Sequence, residues 1–133
     1  MLTASFESVK QRFVRPGDEL GDDVEIVLRG GRLDEAIVKA DAQRMYDIYG
    51  MFGISVFALR GATIDELAQH APLVRFAELT VVTVGALRAV GVRLEATGRN
   101  RRHFTVMLDD LDAGTEALLS CRHQVWINPY HED

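Results

Sequence analysis

Residues 92–108, "VRLEATGRNRRHFTVML", limit the fold more than any other stretch of this chain. Val92, Leu94 and Ala96 alternate with Arg93, Glu95 and Thr97. Phe104, Val106 and Leu108 then alternate with His103, Thr105 and Met107. A period of two is the mark of a β-strand with one buried face. The "GRNRR" between the runs, residues 98–102, has an ordinary hairpin-loop length, so the two strands are expected to pair antiparallel.

Elsewhere strands and helices interleave. "SFESVKQRF" spaces Phe6, Val9 and Phe13 as a helix, ended by Pro16-Gly17 and followed by an acidic loop, "GDELGDD". "DVEIVLRGG" alternates as a strand and stops at the turn Gly30-Gly31. The longest helix is expected between an Asp34 N-cap and a Gly50 stop. "GISVFALRG" is apolar on both faces, which suggests a central strand covered on both sides.

Thr63 and Glu66 have capping-box spacing and open a short helix that ends before Pro72. "ELTVVTV" is rich in β-branched residues and reads as a strand, and "GALRAVG" as a short helical turn. Asp109 and Asp110 are placed to cap a helix through "LDAGTEALLSC", in which Gly114 is a weak point. "HQVWIN" is a last strand, ending at Pro129. The expected fold is α+β: a two-layer sandwich with a mixed or mostly antiparallel sheet and helices mainly on one face.

A length of 133 residues suits a single domain with a core of its own. Within it, residues 1–22 are the N-terminal helix and acidic loop, and 129–133 are expected to be a flexible tail. No run approaches the roughly 18 apolar residues needed to span a membrane. Charges scattered through the first twenty residues argue against a secretory signal. The lone Cys121 has no partner in the chain, so a reducing, cytoplasmic setting and a buried structural thiol are the expectations.

The net charge of −5 speaks against broad binding to nucleic acid, yet three arginines and a histidine fall within residues 99–103. If the strands carrying "HFTVML" and "RHQVWIN" share a sheet, His103 and Thr105 could face Arg122 and Gln124, with Arg99, Arg101 and Arg102 at the rim. Such a cluster has the parts for handling a phosphodiester without metal. The histidine would move the proton, the arginines would bind the anion, and Thr105 and Gln124 would orient the substrate. The competing reading is a charged, solvated hairpin tip that keeps a sheet edge soluble. His123 shares a face with Val125 and Ile127, so it is expected to be a core residue rather than a second catalytic histidine.

Residues 103–106, "HFTV", match the His-x-Thr-hydrophobic element of two-histidine phosphoesterases. The second copy which that family requires is missing, because His70, His123 and His131 are not followed by the hydroxyl. The chain is therefore not identified as a member. No phosphate-loop fingerprint is present, and His131, Glu132 and Asp133 are consecutive at a loose end, so neither cofactor nor metal is expected. Lys39 and Arg44 are outnumbered by acids on the longest helix, which argues against sequence-specific DNA binding.

Two functional classes remain. The first is a non-enzymatic interaction module (an antitoxin, immunity protein, adaptor or assembly subunit) that binds a protein partner or itself. Its overall acidity would speed encounter with a basic partner. The second is a small toxin-like ribonuclease or phosphodiesterase using His103, with RNA as partner.

Overall fold

The computed structural model describes residues 14–132. The helix expected over residues 5–13 lies outside them. Strands β1 (Glu25–Gly30), β2 (Phe52–Ala58), β3 (Glu78–Thr83), β4 (Arg93–Ala96), β5 (His103–Leu108) and β6 (Gln124–Ile127) form one sheet in the order β4-β5-β2-β1-β3-β6. Every pairing is antiparallel. The expected hairpin is β4–β5, with Leu94 opposite Val106 and Glu95 opposite Thr105.

The helices are α1 (Glu35–Tyr49), α2 (Ile64–Ala68), α3 (Val84–Ala89) and α4 (Leu111–Ser120). Each begins at a side chain that accepts a backbone N–H otherwise left without a partner. Asp34 accepts from Ile37, Thr63 from Glu66, Thr83 from Ala86 and Asp110 from Ala113. Asp109, the other candidate for the last cap, pairs instead with Arg93 at 2.6 Å. Gly50 ends α1 with φ 79°, a left-handed conformation that glycine adopts without strain.

Period-two alternation sorts the strand residues onto two faces. Ile26 and Leu28 of β1, Ile54, Val56 and Ala58 of β2, and Phe104, Val106 and Leu108 of β5 share the first face. Val38 and Ala42 of α1, Val84 and Leu87 of α3, and Leu118 of α4 pack onto it. On the second face Val27 and Leu79 lie beneath Ala68 of α2 and Leu73 of a 3-10 turn (Leu73–Arg75), with Trp126 alongside. Among the described residues three helices thus cover one face and a short one lies on part of the other, the α+β arrangement expected. β2 is central, as its composition suggested, but its second face is only partly covered, since Ser55 is exposed there.

Residues 129–132 are not a free tail. Asn128 is buried, and its side-chain amide donates to the carbonyls of Ala68 (3.3 Å), Leu73 (3.2 Å) and Phe76 (3.1 Å). Its Oδ1 accepts from the Tyr130 backbone, and the Glu132 N–H donates to Val74. These bonds hold the end of β6 and the residues after it against the 3-10 turn.

Gly114 has a packing reason that helix propensity does not reveal. A Cβ there would stand 2.8 Å from Leu108 Cβ and 3.3 Å from its Cα, so α4 lies against β5 at a distance only glycine permits. Gly114→Ala should therefore destabilise the protein by roughly 1–3 kcal/mol despite alanine's better helix propensity. A urea midpoint equal to or above the parent's would show that this contact yields.

Candidate functional site

The β4–β5 hairpin tip is built around Asn100. Its carbonyl accepts from the His103 N–H at 2.9 Å, and its Oδ1 accepts from the Arg102 N–H at 2.8 Å, which closes the loop locally. Gly98 enters the loop with φ 72°. These contacts leave several loop carbonyls pointing in one direction.

Arg15 fills that position. Its Nη1 donates to the Thr97 carbonyl and, at 3.1 Å, to that of Gly98. Its Nη2 donates to the carbonyls of Arg101 (3.3 Å) and His103 (3.1 Å), and its Nε to the Asp18 carboxylate at 3.1 Å. Arg60 reaches the same Asp18 and also donates to the Arg101 carbonyl at 3.1 Å. Both guanidinium groups lie over the Phe104 ring, 5.3 and 5.5 Å from its centroid, where the ring's negative face attracts a cation. Arg60 and, less strongly, Arg15 hold the Asp18 carboxyl below its ordinary range, although partial burial opposes them. Reciprocally, Asp18 raises Arg60.

Of the three arginines expected to bind an anion, Arg99 and Arg101 are exposed and Arg102 is half-buried, with its Nε in a buried position and no hydrogen-bond partner among the described residues. The guanidinium groups that meet the Asp18 carboxylate are those of Arg15 and Arg60. The sequence reading missed Arg15 and Arg60. The only local trace of either was the Arg15–Asp18 spacing of three.

His103 is on the second face, edge-on to Phe57 at 5.9 Å. Its Nδ1 lies 3.1 Å from the Thr97 carbonyl and 2.9 Å from the Thr97 hydroxyl. A carbonyl can only accept, so the proton is assigned to Nδ1. The Thr97 hydroxyl is in turn 2.7 Å from that of Thr105. Thr97 and Thr105 have no exposed surface. Thr105, expected to orient a substrate, therefore ties the hairpin strands together instead.

Gln124 shares the sheet and the face with His103, while Arg122 lies in the segment just before β6. Neither is brought beside His103. β5 is second and β6 sixth in the sheet, four strand spacings or roughly 19 Å apart. Both are exposed at the far edge, beside a pocket of ≈ 100 Å³ that Glu25, Thr83 and His123 also line. His123 is exposed as well, contrary to the expectation of a core residue, and its Nδ1 sits 2.9 Å from the Cys121 carbonyl. The apolar row it belongs to is simply uncovered at this edge.

Cys121 itself is buried, and burial pushes its thiol up, as suits a structural residue. A larger cleft of ≈ 340 Å³, unforeseen from the sequence, runs between α1 and β2 and is lined by Arg44, Met45, Ile48, Tyr49, Gly53 and Ser55 among others. Among the described residues no group of three His, Cys, Asp or Glu side chains is placed to hold a metal ion, and no helix is long and apolar enough to cross a membrane.

Arg15→Ala should cost roughly 2–4 kcal/mol, because several loop carbonyls lose a charged donor at once. Hydrogen exchange at residues 97–103 should speed up accordingly; unchanged protection there would refute the pinning role. Asp18 adds a pH signature. Because its folded pKa is lowered, its contribution is present above the unfolded carboxylate value of about 3.9 and is lost as pH falls through the folded one. Asp18→Asn should be less stable at neutral pH and should lack that acid-side loss, as read from urea midpoints across pH.

The chain matches no protein-family model, no curated protein and no solved structure, so no residue role is transferred to it from a relative.

Proposed function

We propose that this chain is a non-enzymatic interaction module, of the kind found among antitoxins, immunity proteins, adaptors and assembly subunits, and that it engages protein through the β6 edge. The supporting observation is the character of that edge. β6 is the last strand of the sheet, "QVWI" carries no charged side chain, and Ile127 is 65% exposed. Natural sheets usually protect such an edge with charge, proline or a covering element. Here Pro129 ends the strand, and among the described residues nothing pairs with the outer row of backbone groups along Val125 and Ile127.

The ribonuclease reading retains His103 and the arginine-rich tip, but it needed four side chains to converge, and two of them sit at the opposite side of the sheet. The tip's carbonyls are used to hold the loop, by Arg15 and Arg60. The interaction reading needs no such convergence.

A photo-crosslinking side chain introduced at Ile127, in cells expressing the chain, should give one discrete protein adduct. The same probe at Ile48, equally exposed on α1, should not give it. No adduct from position 127, or the same adduct from both positions, would remove the β6 reading. Purified protein should also leave RNA intact; cleavage that disappears in His103→Ala would put the enzyme reading in its place.

A further inference from the structure

The β6 edge also carries information about which partner it fits. Asn128 donates its backbone N–H to Ala77 at 2.8 Å, so Asn128 and Ala77 form a hydrogen-bonded pair in the β3–β6 ladder. Such pairs alternate along an antiparallel ladder. Trp126 and Gln124 therefore bond inward to Leu79 and Val81. Val125, Ile127 and, by continuation, His123 turn their N–H and C=O groups outward. On the β3 side the Glu78 carbonyl accepts from Gly31 of the β1 side, as this alternation requires.

Resting on the interaction-module reading, we infer that the occupant of this edge is the β6 strand of a second copy of the chain, paired antiparallel about a two-fold axis at Val125. That register places Val125 opposite Val125 and His123 opposite Ile127. All three outward residues then exchange both hydrogen bonds with their counterparts. Neighbouring symmetric registers fail. Centring on Ile127 sets Val125 against Pro129, which has no N–H, and centring on His123 sets Val125 against Cys121, the cap of α4.

The side chains agree with the backbone. No charge lies between His123 and Asn128, so no like charges meet across the junction. Val125 and Ile127 of the two copies join into one apolar row, which would cover an isoleucine that is 65% exposed in the single copy. Trp126 meets Gln124 on the opposite face. Strands of four residues bury less than the ~1,200 Å² of standard stable complexes, so the association is expected in the micromolar range. Because each copy carries a net charge of −5, added salt should strengthen the pairing, whereas it would weaken the docking of a basic partner.

Sedimentation velocity on the full chain, from low to high micromolar concentration at two salt levels, tests this. The parent should shift from monomer to dimer, more readily at higher salt. Val125→Pro removes an outward N–H that serves no bond to β3, so it should abolish the dimer while leaving the urea midpoint close to the parent's. Ile127→Lys keeps the backbone and adds charge to the junction, and should weaken the dimer at least tenfold. Trp126→Pro is the control: it removes an inward bond and should lower the urea midpoint itself.

A parent that stays monomeric throughout, or variants at Val125 and Ile127 that pair as well as the parent, overturns self-pairing. If the Ile127 crosslink then reports an adduct of a different mass, the edge binds another protein and the module reading survives. If it reports none, both readings fall.

Discussion

The apolar face built by β1, β2 and β5 organises the molecule. Ile26, Val56 and Val106 have no exposed surface, and α1, α3 and α4 each contribute side chains to the layer that buries them. An antiparallel sheet can pack one face and leave the other partly open, and this chain does so. The helices return to the same side each time because burying that face is the largest favourable contribution available to them. On the second face, among the described residues, α2 and the 3-10 turn lie over Val27 and Leu79. Elsewhere that face carries polar side chains: Thr105, which is buried, His103, which is half-buried, and Ser55, which is exposed.

The arginine-rich loop is held in place by a similar economy of local structure. A five-residue tip turns carbonyls outward, and a planar guanidinium can take several of them at once where a lysine ammonium could not. Arg15 does this for Thr97, Gly98, Arg101 and His103, Asp18 orients it, and Arg60 seals the pair over Phe104. Arg101 and Arg102 contribute backbone groups to this arrangement, and the side chains of Arg99 and Arg101 are exposed. The loop is thus fastened by two arginines from outside it, Arg15 and Arg60.

Alternation and capping chemistry made most elements legible in advance. The strands around Ile26, Val56, Val106 and Val125 follow a period of two, and Asp34, Thr63 and Asp110 mark helix starts because their oxygens accept the first orphan N–H groups. Strand order was not legible, since only the β4–β5 pairing is local and the others bring together residues tens of positions apart. That is why Gln124 and Arg122 were expected beside His103. The error over His123 has a related cause: alternation tells which residues share a face, but not whether anything covers that face at an edge. Arg15's role left almost no trace, because a cation that meets backbone carbonyls has no periodic signature.

Asn128 has a chemical consequence beyond its hydrogen bonds. Asparagine side chains age by deamidation when the next residue's backbone nitrogen attacks the amide carbon to close a succinimide ring. The residue after Asn128 is Pro129, whose nitrogen bears no hydrogen and cannot make that attack. The amide that clasps the carbonyls of Ala68, Leu73 and Phe76 is thereby shielded from spontaneous conversion to a carboxylate, which would repel all three. Asn100, the chain's other asparagine, precedes Arg101 on the exposed tip and has no such shield, so chemical wear in this protein should begin at the hairpin and spare the clasp.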